Sequence, residues 1–236
     1  MNKIFAIAKK ELSTFFKSPT ATIVLVVTIS AFNVFFYLII GERKEASLHE
    51  VFKVMEFFFI FIIPILTMGV FSEEKRSGTM EFLMTTPTTN TEIVIGKFLG
   101  SLGFFSVLMG ITLVYYPILE FFGSPDRLAM LSGYVGLWLE GALFIAIGLL
   151  ASSLTHSQLI AAIVSYAILF TLYFSTVFTK FLSGSSEDLL TAFTTASHSQ
   201  NFAVGLITPA DLTYYLAGIA ACIFLARVHI ENRSLE

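Results

Sequence analysis

Ser72-Glu73-Glu74-Lys75-Arg76-Ser77-Gly78-Thr79-Met80-Glu81-Phe82-Leu83-Met84-Thr85-Thr86-Pro87 lies between two long apolar runs, residues 51–71 and 95–119. A helix needs about 20 apolar residues to cross the hydrocarbon of a bilayer, and each flanking run reaches that length. The charged stretch is therefore a loop between two membrane spans, facing water or a partner and not lipid. Four further runs, residues 20–40, 131–153, 159–181 and 212–228, bring the expected spans to six. Lys53 and Glu56 shorten the apolar part of the second run to residues 57–70, so its start is expected to emerge from an interfacial turn.

Composition supports an all-α polytopic membrane protein. The chain is 56% hydrophobic and only 13% charged, with 26 Phe among 236 residues, far more apolar surface than a soluble domain can hide. A net charge of -3 without Lys/Arg clustering excludes nucleic acid as a partner. Cys222 is the sole cysteine, which excludes disulfides within the chain and cysteine-rich metal sites.

Basic residues favour the cytoplasmic side. Placing the N-terminus inside puts Lys3, Lys9, Lys10, Lys17, Lys75, Arg76, Lys97, Arg227 and Arg233 there, and leaves Arg43, Lys44, Lys53, Arg127 and Lys180 outside. Nine against five argues for cytoplasmic termini. The first apolar run is longer than a signal-peptide core of about 7–15 residues and reads as a retained span. Ahead of it, Ile4, Phe5, Ile7, Ala8, Leu12, Phe15 and Phe16 share a face with Lys3, Lys9, Lys10, Ser13 and Lys17 off it, the pattern of an amphipathic helix in the membrane interface over residues 1–19. A plain topological flank is the alternative. Pro19 separates this helix from the first span. Residues 182–211, on the outer side, open with a turn-like Ser-Gly-Ser-Ser-Glu-Asp and continue into apolar residues, as expected of a short helix or hairpin re-entering the outer leaflet.

Glu73 to Leu83, followed by Pro87 and Gly96-Lys97, resembles the loop after the second span of ABC-2 type transporter permeases, most of all the branch of gliding-motility and nitrous-oxide-reductase-maturation permeases. Three more stretches carry the same resemblance: Lys9-Lys10-Glu11-Leu12 with Phe15, Phe16, Ser18 and Pro19; Ala146 to Leu149 with Ser152-Ser153-Leu154-Thr155 and Gln158; and His198 with Phe202, Gly205, Ile207, Asp211 and Tyr214. The resemblance covers essentially residues 1–236 as a single transmembrane domain. It implies a bacterial inner-membrane subunit with residues 72–94 as a cytoplasmic coupling loop, docked on a separate ABC ATPase that holds the ATP and magnesium. It further implies a second permease copy, identical or homologous, and export more than import. An extracytoplasmic auxiliary protein is a further expected partner.

The residues of the loop suit docking. Gly78 permits a tight turn and Thr79 is placed to cap a short helix containing Glu81, Phe82 and Leu83, whose apolar side fits a partner's groove. Against this stands a solvated loop in which Glu73, Glu74, Lys75 and Arg76 form only a local ion-pair cluster. Thr155-His156-Ser157-Gln158, between the fourth and fifth spans, is the second expected cytoplasmic contact, although the family has Asn where Ser157 stands. Small residues such as Gly141, Gly148, Ala161 and Ala162 are expected to let the fourth and fifth spans approach closely.

Glu140 falls about two turns into the fourth span, where an ionised carboxylate costs about 2.5–3.5 kcal/mol. It lines a pathway or the seam of a permease dimer, or else sits near enough to the interface to pair with Arg127. Gly69 stands where the family often carries Arg. Pro64 is expected to kink the second span, for gating or for packing alone. His198 has no neighbouring histidine in sequence with which to build a metal site. No phosphate-binding loop and no Ser/His/Asp or zinc motif is present, so the chain has no visible catalysis of its own. A permease is the leading expectation. The alternative is a membrane anchor that transmits ATPase motion to an outer partner without flux, and an intramembrane enzyme ranks third.

Overall fold

The computed structural model describes residues 3–43, 47–80, 88–179 and 194–233. Its elements in chain order are α1 (Lys3–Lys17), α2 (Pro19–Arg43), α3 (His49–Thr67), α4 (Gly69–Arg76), α5 (Asn90–Thr112), α6 (Tyr115–Phe122), α7 (Arg127–Leu154), α8 (Gln158–Thr179), α9 (Thr195–Ala203) and α10 (Pro209–Arg233). Six stretches are long and apolar enough to span a membrane: α2, α3 with α4, α5 with α6, α7, α8 and α10. The fold is all-α and polytopic, with α1 ahead of the spans and α9 before the last one.

Local chemistry sets the starts of these helices. Ser18 Oγ accepts the Ala21 amide while Pro19 takes the first helical position of α2, where its missing N–H is not needed. Thr89 and Glu92 form a reciprocal capping box at α5. Asp126 accepts the amides of Leu128 and Ala129 at the start of α7.

The fourth span, α7, is the axis of the bundle. Of its most apolar 18 residues 83% are buried, against 11% in the first span, so the remaining helices wrap around α7. Glycines on α7 set the closest approaches, and they face other partners than the sequence suggested. A Cβ on Gly148 would lie 2.0 Å from Thr67 Oγ1 of α3, and one on Gly141 2.2 Å from the Phe105 ring of α5. The small residues of the fourth span thus admit the second and third spans, which carry the bulkier side chains.

Two spans are interrupted. The third was expected to be continuous, but α5 gives way to α6 at Leu113 and Val114. Pro117 lacks the N–H that would bond to the Leu113 carbonyl, and that carbonyl takes the Tyr116 amide instead. In the second span the helix runs through Pro64, and the discontinuity falls at Met68. Its cause is Ser152 of α7, whose Oγ donates to the Met68 carbonyl at 2.8 Å and accepts the amides of Phe71 and Ser72, each at 3.0 Å. A hydroxyl inserted into the helical ladder is one of the few recognised causes of a kink.

Candidate coupling site at the loop end

The charged loop begins on the spans themselves. From α4, Lys75 donates to the Ser153 carbonyl at the end of α7, beside the Ser152 insertion. Both serines serve as hydrogen-bonding groups as well as small ones. Glu74 turns inward to Lys97 of α5, with Nζ 2.9 Å from its Oε1. Lys97 also lies 3.4 Å from Glu11 Oε2 of α1, donates to the Val70 carbonyl at 2.8 Å and stands over the Phe71 ring, 5.2 Å from its centroid.

This arrangement corrects two expectations. Lys97, counted as a flanking cytoplasmic charge, is only 2% exposed and ties three elements together. The loop charges are not merely a local cluster, because Glu74 and Lys75 bond to α5 and α7. Burial pushes the Glu11 carboxyl above its ordinary range, a rise opposed by Lys97 and reinforced by Glu74. Removing one member of such a buried pair typically costs about 3–5 kcal/mol, since a charge is then left without a partner.

Helix α1 is correspondingly more than an interfacial float. It lies along α5, where a Cβ on Gly100 would come within 2.5 Å of Glu11 Cβ. Phe15 is buried and stacks on Phe104 at 5.2 Å, while Phe5 and Phe16 remain exposed.

Beyond Arg76 the chain turns at Gly78, whose φ of 72° is readily adopted by glycine. Thr79 and Met80 are already helical. The Thr79 hydroxyl approaches the Ser77 hydroxyl at 2.9 Å and the Glu74 carbonyl at 3.4 Å, so its described bonds point back along the chain. Glu81, Phe82 and Leu83 lie outside the described residues. Within the described part, Glu74 and Met80 face the body of the protein, whereas Glu73, Arg76 and Thr79 are exposed.

The second expected contact, Thr155 to Gln158, comes to the same place. Thr155 is extended after α7, its Oγ1 accepts the Ser157 amide, and α8 starts at Gln158 with His156 exposed. A pocket of ≈180 Å³ opens there with Glu11, Glu73, Gly69 and Gln158 on its wall. The side chains of Glu73 and Gln158 occupy the space beside Gly69, 3.4 and 3.5 Å from where its Cβ would be.

At the opposite end the motif around His198 closes on itself. His198 Nδ1 lies 2.6 Å from Asp211 Oδ1, and the Asn201 amide and Thr208 hydroxyl also donate to that carboxylate. Thr208 and Asp211 together cap α10, and the His198 ring stacks on Tyr214 at 4.2 Å. Of the 182–211 segment, α9 is the described helix; residues 182–193 lie outside the described residues.

Glu140 is at the midpoint of α7 and 1% exposed, deeper than two turns into the span. It does not pair with Arg127, which is exposed and bonded to Glu120. Its acidic neighbour is Glu56 of α3, itself buried, with Ser199 of α9 nearby. Sequence reading missed Glu11, Lys97 and Glu56 as members of sites. Glu11 and Lys97 already stood in the quoted motifs with opposite charge near the same membrane face, which was the available signal.

Six hydrophobic spans, with the charged loop bonded to the third and fourth of them and through Lys97 to α1, define an integral membrane protein. The chain belongs to the ABC-2 family: the family described as ABC-2 family transporter protein matches residues 5–217. Members of this family are membrane components, typically not catalytic themselves, that normally work with an ABC ATPase. No curated protein matches the chain.

Proposed function

We propose that the chain is the permease subunit of an ATP-driven ABC exporter in the bacterial inner membrane, with both termini cytoplasmic. Two copies pair and bind two separate ATPase chains, which hold the ATP and magnesium. On the likeness of its loop motif we assign the chain to the branch of gliding-motility and nitrous-oxide-reductase-maturation permeases. Residues 72–94 dock on the ATPase through exposed Glu73, Arg76 and Thr79 and through Glu81, Phe82 and Leu83, with His156 and its neighbours as the second contact. ATP-driven closure then displaces α4.

The observation that carries this reading is the set of bonds behind the loop. Ser152, Lys75 and Lys97 join α4 to α7, α5 and α1, so a push on α4 reaches three further elements. The variant Ser152→Ala with Lys75→Met tests it. The ATPase should remain bound, because the exposed loop residues are intact, while stimulation of ATP turnover by the permease is lost. Full stimulation in that variant contradicts the route.

The second reading, transmission of ATPase motion to an extracytoplasmic partner, draws on the aromatic packing of the protomer. Phe59 of α3, Phe105 of α5 and Phe144 of α7 are fully buried and fill the interior of the protomer with aromatic rings. ATP-dependent flux into vesicles supports transport. Turnover that requires an outer protein and yields no flux supports transmission.

A further inference from the structure

Glu56 and Glu140 face each other inside the bundle, on α3 and α7, and each is cut off from water. Glu56 has the Ser199 hydroxyl nearby, although that hydroxyl donates to the Ala196 carbonyl at 3.3 Å, and it feels Lys53, one turn nearer the helix end. Lys53 is itself held by Glu50 at 3.3 Å. Glu140 has no such help: among the described residues its Oε2 is buried without a hydrogen-bond partner. A second orphan oxygen lies on α9. Thr195 Oγ1 is fully buried and unpartnered, and Thr195 sits one helical turn from Ser199 on the same face of α9. Tyr215 links the two sets, donating to the Thr195 carbonyl at 3.5 Å and lying in the field of both carboxyls.

Two carboxylates at this depth, each costing about 2.5–3.5 kcal/mol to insert and repelling one another, have as nearby help among the described residues only Ser199 and Lys53, and Glu50 already engages Lys53. Asp211 and His198, the other ionisable pair at this end, are already bonded to each other. Tyr173 and Tyr214 face the carboxyls and add no positive charge. We propose that Glu56 and Glu140, with the hydroxyls of Ser199 and Thr195, form a binding site for one small monovalent cation, a proton or a sodium ion. The cation removes the repulsion, satisfies Glu140 Oε2 and holds α3 against α7, so that separating these helices releases it. The site belongs to this chain and does not depend on the ATPase reading.

The test is thermal unfolding of the full-length chain in lipid nanodiscs, without any ATPase, over a pH series at constant ionic strength in choline and then in sodium salt. A ligand bound only to the folded state raises its stability with concentration. If the ligand is a proton, the midpoint falls by roughly 3–5 °C per pH unit on the alkaline side, with no response to sodium. If it is sodium, sodium raises the midpoint at fixed pH where choline does not. Glu56→Gln with Glu140→Gln abolishes whichever dependence is found, and His198→Gln leaves it in place. Dependences shared equally by wild type and the double glutamine variant overturn the proposal. Should the double variant fail to fold, infrared spectra of the wild type replace it. A protonated carboxyl band resistant to deuterium exchange, or a carboxylate band shifted by sodium, supports the site, and neither one contradicts it.

Discussion

The two ends of the bundle bury acidic groups in opposite ways. At the loop end, Glu11 and Glu74 converge on Lys97, so two carboxyls from different elements share one ammonium that also bonds to the Val70 carbonyl. At the centre and the far end, Glu56 and Glu140 face each other with no cation between them among the described residues, and Glu140 Oε2 lacks any partner. The first arrangement is a fastening, whose value lies in joining α1, α4 and α5. The second leaves polar oxygens in want of a ligand. Burial of charge thus has two meanings in one molecule, separated by the shared ammonium of Lys97 and not by orphan oxygens, since Glu74 Oε2 is also buried without a partner among the described residues.

The contrast is sharpest at Lys97. Lys97→Met should lower stability by about 3–5 kcal/mol, read as a depressed unfolding midpoint in nanodiscs. Adding Glu11→Gln and Glu74→Gln to it should recover much of the loss, because the stranded charges go with the lysine. Next in size is the packing between second and fourth spans: Gly148→Val should cost about 1–3 kcal/mol by overpacking against Thr67, with partial rescue by Thr67→Ala. Ser152→Ala, which strips a partner from the Phe71 and Ser72 amides, should cost about 1–2 kcal/mol and straighten the second span, measurable as an altered spin-label distance across Met68.

In alkaline choline medium, where the proposed cation site is empty, Glu140→Leu should act in the other direction from Lys97→Met, raising stability by about 1 kcal/mol because an unpaired buried carboxyl is replaced by an apolar side chain. A large loss of stability on Glu140→Leu breaks the comparison. Unchanged ATPase coupling in both Glu140→Gln and Glu140→Leu removes Glu140 from any transport pathway. The smallest effect belongs to the exposed Arg127–Glu120 pair, where Arg127→Ala should change stability by at most about 1 kcal/mol.

The spans were legible because hydropathy is a local property: six apolar runs predicted six membrane-length helices, and Pro19 marked the boundary between α1 and α2. The hub was not legible, because Glu11, Glu74 and Lys97 are separated by long stretches of chain and only packing brings them together. Ser152 read as a small residue for close packing, whereas its hydroxyl, inserted at Met68, shapes the second span. Glu56 read as a charge that shortened a span, since nothing in a linear sequence says which face of a helix meets Glu140. The His198 cluster lay within a quoted motif, but its aspartate partner is placed by the turn at Gly205, with φ of 91°, and by the cap of α10.

The coupling role of the loop is tested most directly by purifying the tagged chain from its native membrane in mild detergent, beside a variant carrying Glu81→Ala and Phe82→Ala. The account predicts an ATPase with a phosphate-binding loop, stoichiometric with the wild-type chain and lost from the variant. Absence of an ATPase from both preparations contradicts it.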